Sequence, residues 1–257
     1  QDLNLVEEIT EYASNPSRPN SIFMDSERDL WIGDAREGLI RIKGNSAESI
    51  IPDGPATDHA FEIVSIGDRI LSVPGGYDAR FQPIKRRGII QGFSYQQWSN
   101  ALFAPEYNFL DILADPQDAN HIFVGTWGYG LLEIRNNKIT DQYQTENSAL
   151  ETNGGQGEVV YDVTYDQKGN LWMLNYGAKN PIKYMGSGGT WRTIEIEPLQ
   201  NKIPKDLICT ENGYKWGFLH DSPYLFVVDD GGTPSNLSDD KVKLTQPKDF
   251  NGNSYAQ

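Results

Sequence analysis

Leu30-Trp31-Ile32-Gly33, Ile122-Phe123-Val124-Gly125, Leu171-Trp172-Met173-Leu174 and Lys215-Trp216-Gly217-Phe218 are four renderings of one phrase. Each is a short aromatic-aliphatic run beside turn-forming residues. Phe123 and Trp172 are 49 positions apart, Trp172 and Trp216 are 44. Short strands that return at such a period read as a propeller or a similar array, because one unit alone cannot bury its apolar face.

The unit from Phe109 to Tyr143 is the clearest. Leu110, Ile112 and Ala114 alternate with polar neighbours, the pattern of a half-buried strand. Asp115-Pro116-Gln117-Asp118 supplies turn chemistry. His121 to Gly125 reads as a second strand, Leu131 to Arg135 as a third, and Lys138 to Tyr143 as a fourth beyond an Asn136-Asn137 turn. Four antiparallel strands joined by hairpins make one propeller blade. The same grammar places blades near 21–50, 59–100, 108–145, 159–195 and 205–235, the second being degenerate. The expected fold is all-β, a propeller of four-stranded antiparallel blades, about five to seven in the intact ring. Residues 236–257 read as a linker or a strand toward a further blade, and Gln1 to Tyr12 as a strand left from a preceding one. Val6 to Ala13 is the one helix candidate. The ring is then incomplete or closed by strands from both ends.

The formal net charge of −14 repels phosphate backbones and argues against non-specific nucleic-acid binding. The single cysteine, Cys209, forms no internal disulfide. It lies in the apolar run Leu207-Ile208-Cys209, which suits a buried, inert thiol rather than a nucleophile. No run of 18 apolar residues spans a bilayer. The chain starts at Gln1 without a basic-then-apolar leader, and the repeats favour a segment cut from a longer protein.

Asp25…Leu30-Trp31-Ile32-Gly33-Asp34…Gly38-Leu39 and Phe123-Val124-Gly125-Thr126-Trp127-Gly128-Tyr129-Gly130-Leu131 resemble the two-component regulator propeller repeat, roughly Asp-x-x-Gly-x-Leu-Trp-Ile-Gly-Thr-x-x-Gly-Leu. That repeat belongs to Bacteroidetes sensors and surface proteins. The degenerate second unit with Val73-Pro74-Gly75-Gly76-Tyr77-Asp78, the stretch Gly125 to Glu133 followed by Asn147-Ser148-Ala149-Leu150, and Gly231-Thr233-Pro234…Ser238-Asp239-Asp240 resemble the PorZ-like family of type IX secretion components. This resemblance covers nearly the whole chain. It implies a longer protein with two propellers and a β-sandwich. It also implies a non-enzymatic subunit at the periplasmic or outer-membrane surface, a PorU-like sortase as partner, and recognition of anionic lipopolysaccharide. The length departs from the family, since the sandwich and most of one propeller are absent from these 257 residues.

Topology alone narrows the site. In an up-and-down blade the second-to-third-strand turns share one face. Here they are 34–37, 75–87, 126–129, 175–180 and 220–223. They carry Tyr77, Asp78, Arg80, Trp127, Tyr129, Tyr176, Lys179 and His220. Aromatics in turns, ringed by hydrogen-bonding groups, suit sugar or protein recognition. The same residues equally suit packing over a channel mouth. As rim residues, Trp127 and Tyr129 would be replaceable by Ala with little loss of stability. Lys85-Arg86-Arg87, the one basic cluster, falls in the longest of these turns, and reads either as an anion site or as a solvated turn.

Asp229-Asp230-Gly231-Gly232 with Asp239-Asp240 offers oxygen ligands but lacks the carboxylate spacing of an EF-hand loop, and a flexible polar loop is the simpler reading. His59, His121 and His220 show no metal-ligand pair spacing, and His121 reads as a turn residue. Asn236-Leu237-Ser238 fits a glycosylation acceptor, discounted in a bacterial-looking chain. The repeat-equivalent Trp residues read as core. No catalytic residue, metal or cofactor is expected. Three functions remain: a PorZ-like surface scaffold that binds glycan, the periplasmic carbohydrate-sensing propeller of a hybrid two-component regulator, and a metal-dependent propeller lactonase or lyase. The last would draw on Asp34, Asp78 and His220.

Overall fold

The computed structural model describes residues 8–12, 15–50, 52–103, 107–220, 222–234, 236 and 238–254, divided between two units, 1–54 and 55–257. Unit one holds a short ribbon, β1 (Glu11–Tyr12) and β2 (Asn15–Pro16), and one four-stranded sheet: β3 (Pro19–Met24), β4 (Leu30–Asp34), β5 (Gly38–Lys43) and β6 (Ser46–Ile50). Its core is Tyr12, Ile32 and Ile40 with Ile9, Leu30 and Ile42 packed against them. Glu11 and Tyr12 are strand, not helix, because they pair with Pro16 and Asn15. Residues 8–10 of the helix candidate form no helix either, while residues 6, 7 and 13 of it, and residues 1–7 of the expected leading strand, lie outside the described residues.

Unit two holds four sheets of the same plan. The first is β7 (Glu62–Ile66), β8 (Arg69–Val73), β9 (Gly88–Ser94) and β10 (Gln97–Phe103). The second is β11 (Phe109–Asp115), β12 (Asp118–Thr126), β13 (Leu131–Arg135) and β14 (Lys138–Tyr143). Then come β15 (Val159–Tyr165), β16 (Leu171–Tyr176), β17 (Ile182–Met185) and β18 (Trp191–Ile194), and finally β19 (Pro204–Cys209), β20 (Lys215–Leu219), β21 (Leu225–Asp229) and β22 (Lys241–Thr245). Every sheet pairs its strands antiparallel in sequence order. The chain is therefore an all-β protein whose described residues form five four-stranded propeller-type sheets. β22 falls in the stretch read as a linker or a strand toward a further blade. Its pairing from Leu225–Thr245 to Asp229–Lys241 makes it the outer strand of the fifth sheet.

In unit two the first strands of successive sheets face one another: β11 meets β7 and β15, and β15 meets β19. β11 is therefore buried on both faces rather than half-buried as its alternation suggests; Leu110, Asp111 and Ile112 are all inside. Clusters around Val124 and Leu132, around Phe123 and Met173, and around Trp172 and Phe226 fill the space between sheets. Trp172 is fully buried, so its removal costs about 3–5 kcal/mol. The other repeat-equivalent tryptophans, Trp31 and Trp216, are only half-buried.

Two local features explain the recurring phrase. A Cβ on Gly125 would lie 2.5 Å from the Val160 carbonyl oxygen, so only glycine lets the next sheet's first strand approach this closely. Asn136 and Asn137 have φ of 50° and 59°, the left-handed pair that a two-residue hairpin needs.

Candidate ligand site at the mouth of unit two

The second-to-third-strand turns of unit two bring rings from its four sheets together. Tyr77 and Phe81 stack at 4.3 Å, Phe81 and Tyr176 at 5.6 Å, and Phe81 lies 4.4 Å from the His220 ring. Trp127 leans on Tyr77 at 6.1 Å and on Tyr176 at 5.6 Å. Leu110 and Val159 form the floor, and Tyr161 packs alongside. Lys205 Nζ lies over the Tyr77 ring at 5.4 Å and over the Phe81 ring at 4.9 Å, within cation–π range.

Four residues expected from the sequence thus converge: Tyr77, Trp127, Tyr176 and His220. Trp127 is not an exposed turn residue, being only 5 % exposed, so replacing it by Ala is expected to be costly rather than neutral. Tyr129 is half-buried and sits apart, edge-on to Tyr107 at 4.8 Å. Asp78 holds its own hairpin: its Oδ1 accepts from the amides of Arg80 (2.8 Å) and Gln82 (3.0 Å). Those bonds keep its carboxyl below the usual range. Arg80 is exposed beside it. The basic cluster does not act as one patch. Arg86 Nη1 donates to the carbonyls of Pro74 (2.8 Å) and Gly75 (3.2 Å), while Lys85 and Arg87 are exposed. Lys179 is exposed as well.

Sequence reasoning missed Phe81, Tyr161 and Lys205. Phe81 sits in the named long turn and could have been found there. Tyr161 and Lys205 come from the first strands β15 and β19, where the turn argument does not look.

Beneath the rings lies an acid pair. Asp111 Oδ2 accepts from the Val163 amide at 2.6 Å and Oδ1 from its neighbour Ile112 at 2.7 Å. Asp162 accepts from the Leu207 amide in the same manner. Each carboxyl therefore ties its sheet to the next. Burial, with the Glu62 charge adding to it, pushes Asp111 up to about 7 despite the amide bonds. Burial and then the Asp111 charge push Asp162 up too, so the two share a proton near neutrality. Two donors have no partner among the described residues: Trp127 Nε1 and the Tyr161 hydroxyl, both shielded from solvent. Buried donors are nearly always paired, so an orphan marks a place to ask what completes it.

A cleft of about 820 Å³ opens on the opposite turn face, between the sheets headed by β11 and β15. His121 is buried in its wall. Nδ1 meets Asp115 Oδ2 at 3.0 Å and Nε2 meets Glu133 Oε1 at 2.9 Å, so both ring nitrogens are committed. His121 is thus a buried strand residue, not a turn residue. The Tyr143 hydroxyl donates to the other Glu133 oxygen at 2.7 Å. Burial pushes the Cys209 thiol up to about 12, in keeping with an inert thiol. Asp230 is also no free loop ligand, since its Oδ1 is 2.7 Å from the buried Lys215 ammonium.

No protein-family model and no curated protein matches the chain. Solved structures define its class as β-propeller. PorZ, an essential bacterial surface component of the type IX secretion system of Porphyromonas gingivalis, matches with a TM-score of 0.75 and 22 % identity over 91 % of this chain. The chain spans about a third of PorZ, 34 % of its length. A virginiamycin B lyase from Staphylococcus aureus matches with a TM-score of 0.54 and 11 % identity, covering 98 % of this chain and 75 % of the lyase. The extracellular domain of a hybrid two-component system protein from B. thetaiotaomicron gives 0.49 and 18 % identity, over 93 % of this chain and 32 % of that one. The resemblance to PorZ-like propellers read from the motifs is thus matched in three dimensions.

Proposed function

We propose that the chain is a non-catalytic propeller part of a bacterial cell-surface secretion and attachment assembly, and that it recognises glycan through the aromatic mouth of unit two. The observation that carries this reading is the convergence of Tyr77, Phe81, Trp127 and Tyr176 with Lys205 above two orphan donors. Aromatic faces stack on sugar rings, buried N–H and O–H groups meet sugar oxygens, and a lysine meets an acidic substituent. The likeness to PorZ, a bacterial surface component of the type IX secretion system, supports a place at the cell surface; a PorU-like sortase as partner and anionic lipopolysaccharide as the glycan are what the motif resemblance implies.

A hydrolytic or lyase reading has weaker support in the side chains. Asp34 accepts from the amides of Arg36 (2.8 Å) and Glu37 (3.0 Å), as Asp78 does within its hairpin, so both carboxylates serve as turn caps. His220 packs on Phe81.

Calorimetric titration of the chain with anionic lipopolysaccharide, beside a neutral polysaccharide, tests the reading. Selective binding of the anionic glycan that Trp127→Phe and Lys205→Met each weaken supports it. Equal binding of both glycans, or none of either, refutes it. Co-purification with a PorU-like sortase separates the secretion role from a sensor role.

A further inference from the structure

The hairpin from Gly76 to Pro83 reaches across the mouth. Its frame is the Tyr77–Pro83 bridge, with the Ile84 amide donating to Gly76 O at 3.2 Å and the Asp78 amide to Gln82 O at 2.9 Å. At its tip Phe81 has φ of +56°, an unfavourable value for a bulky side chain. What holds that ring inward is contact with Tyr176, His220 and the Lys205 ammonium, groups from two other sheets of unit two. Beyond its base, where Gly76 O accepts from Asn108 Nδ2 at 2.9 Å and so marks the hinge, the hairpin's hydrogen bonds lie within residues 76–84 and travel with it. A strained tip held by side-chain contacts alone is built to release.

Around the ring lie the orphan donors. Trp127 is nineteen-twentieths buried and, among the described residues, its Nε1 has no acceptor; the Tyr161 hydroxyl is shielded and has none either. Tyr161 stands edge-on to Tyr176 at 6.2 Å, beside the ring column. Phe81, a hydrocarbon, offers neither donor an acceptor. A ligand of similar size that is rich in oxygen would satisfy both.

We propose that the 76–83 hairpin is a lid, and that the place filled by the Phe81 ring receives one pyranose. Its face stacks on Tyr176, and its oxygens accept from Trp127 Nε1 and the Tyr161 hydroxyl. Lys205, freed from the Phe81 face, then stands where an acidic substituent on that sugar is met. This deepens the glycan reading above and rests on it.

The test uses the full chain and, as probe, the lipid-free oligosaccharide of an anionic lipopolysaccharide. Tyr161→Phe removes only the orphan hydroxyl. It is expected to keep or raise Tm and to weaken binding about tenfold, the effect of one lost buried hydrogen bond. Phe81→Ala is expected to speed association several-fold and to expose Trp127 to acrylamide quenching. Wild-type affinity in Tyr161→Phe overturns the proposal. So does slower association in Phe81→Ala, which would make Phe81 a binding platform rather than a lid. Probe binding by wild type that ignores both variants overturns the lid and leaves the glycan reading standing. Failure of wild type and Phe81→Ala alike to bind overturns both.

Discussion

Trp172 Nε1 donates to Asp166 Oδ2 at 3.0 Å, six residues back across the β15–β16 turn. Trp31 repeats the bond to Asp25 at 2.8 Å in unit one. The aspartate and tryptophan of the repeat phrase are therefore one interaction. Asp166 also accepts from the amides of Lys168 (2.8 Å) and Asn170 (2.9 Å), so it fixes the turn and the core ring together. In the sheet headed by β11, Phe123 replaces the tryptophan and has no ring N–H. There Asp115 takes the His121 ring instead.

Asp166→Ala should lower stability by about 1–3 kcal/mol, because the indole of a fully buried tryptophan loses its acceptor. Burial alone would raise the Asp166 pKa, but the Asn170 and Trp172 bonds outweigh it and leave it below the usual value. A lowered folded pKa means that the stabilisation is present above the unfolded value, about 3.9, and is lost as pH falls through the folded one. Urea denaturation at pH 7 and at pH 3 should show the wild-type advantage over Asp166→Ala shrinking at the lower pH. An advantage that persists undiminished would break the assignment.

Asp111 and Asp162 carry the opposite sign. Both folded values are raised, that of Asp111 to about 7, so their contribution is full below the unfolded carboxylate pKa and is lost as pH rises through the folded values. Wild type should lose thermal stability between pH 5.5 and pH 8.5. In Asp111→Asn, one member of the pair no longer ionises and that loss should shrink, although the variant starts lower for want of one acceptor. Parallel Tm–pH curves for the two proteins would contradict the shared proton.

Lys215 and Asp230 form a buried pair at 2.7 Å, and the lysine lies 4.2 Å from the Trp172 ring centroid. Removing one charge strands the other, so Asp230→Ala should cost about 3–5 kcal/mol. The double variant Lys215→Met/Asp230→Ala should recover much of it, as a double-mutant cycle in urea would show. Additive losses would mean that the pair is not coupled.

Much of the fold was legible because the repeat phrase is made of local interactions. Asp166 reaches Trp172 within six residues, and Asn136-Asn137 dictates its own hairpin. β22 was less legible. Its Lys-Val-Lys-Leu pattern follows a loop of eleven residues from Asp230 to Asp240, long enough to hide which sheet it joins. The mouth was half legible. Turn topology named Tyr77, Trp127 and Tyr176, yet no sequence period reports that Phe81 crosses to His220, or that Lys205 leaves its strand to cover two rings. The Asp111–Asp162 pair was invisible for the same reason: its members are 51 positions apart and meet only when sheets pack.

The most direct test of the account is a crystal structure of the chain with the lipid-free oligosaccharide of an anionic lipopolysaccharide. The account predicts sugar density at the mouth of unit two, against Tyr176 and within hydrogen-bond distance of Trp127 Nε1, with the 76–83 hairpin displaced. Sugar bound instead in the cleft beside His121 and Tyr165, with Phe81 still seated between Tyr77 and Tyr176, would contradict it.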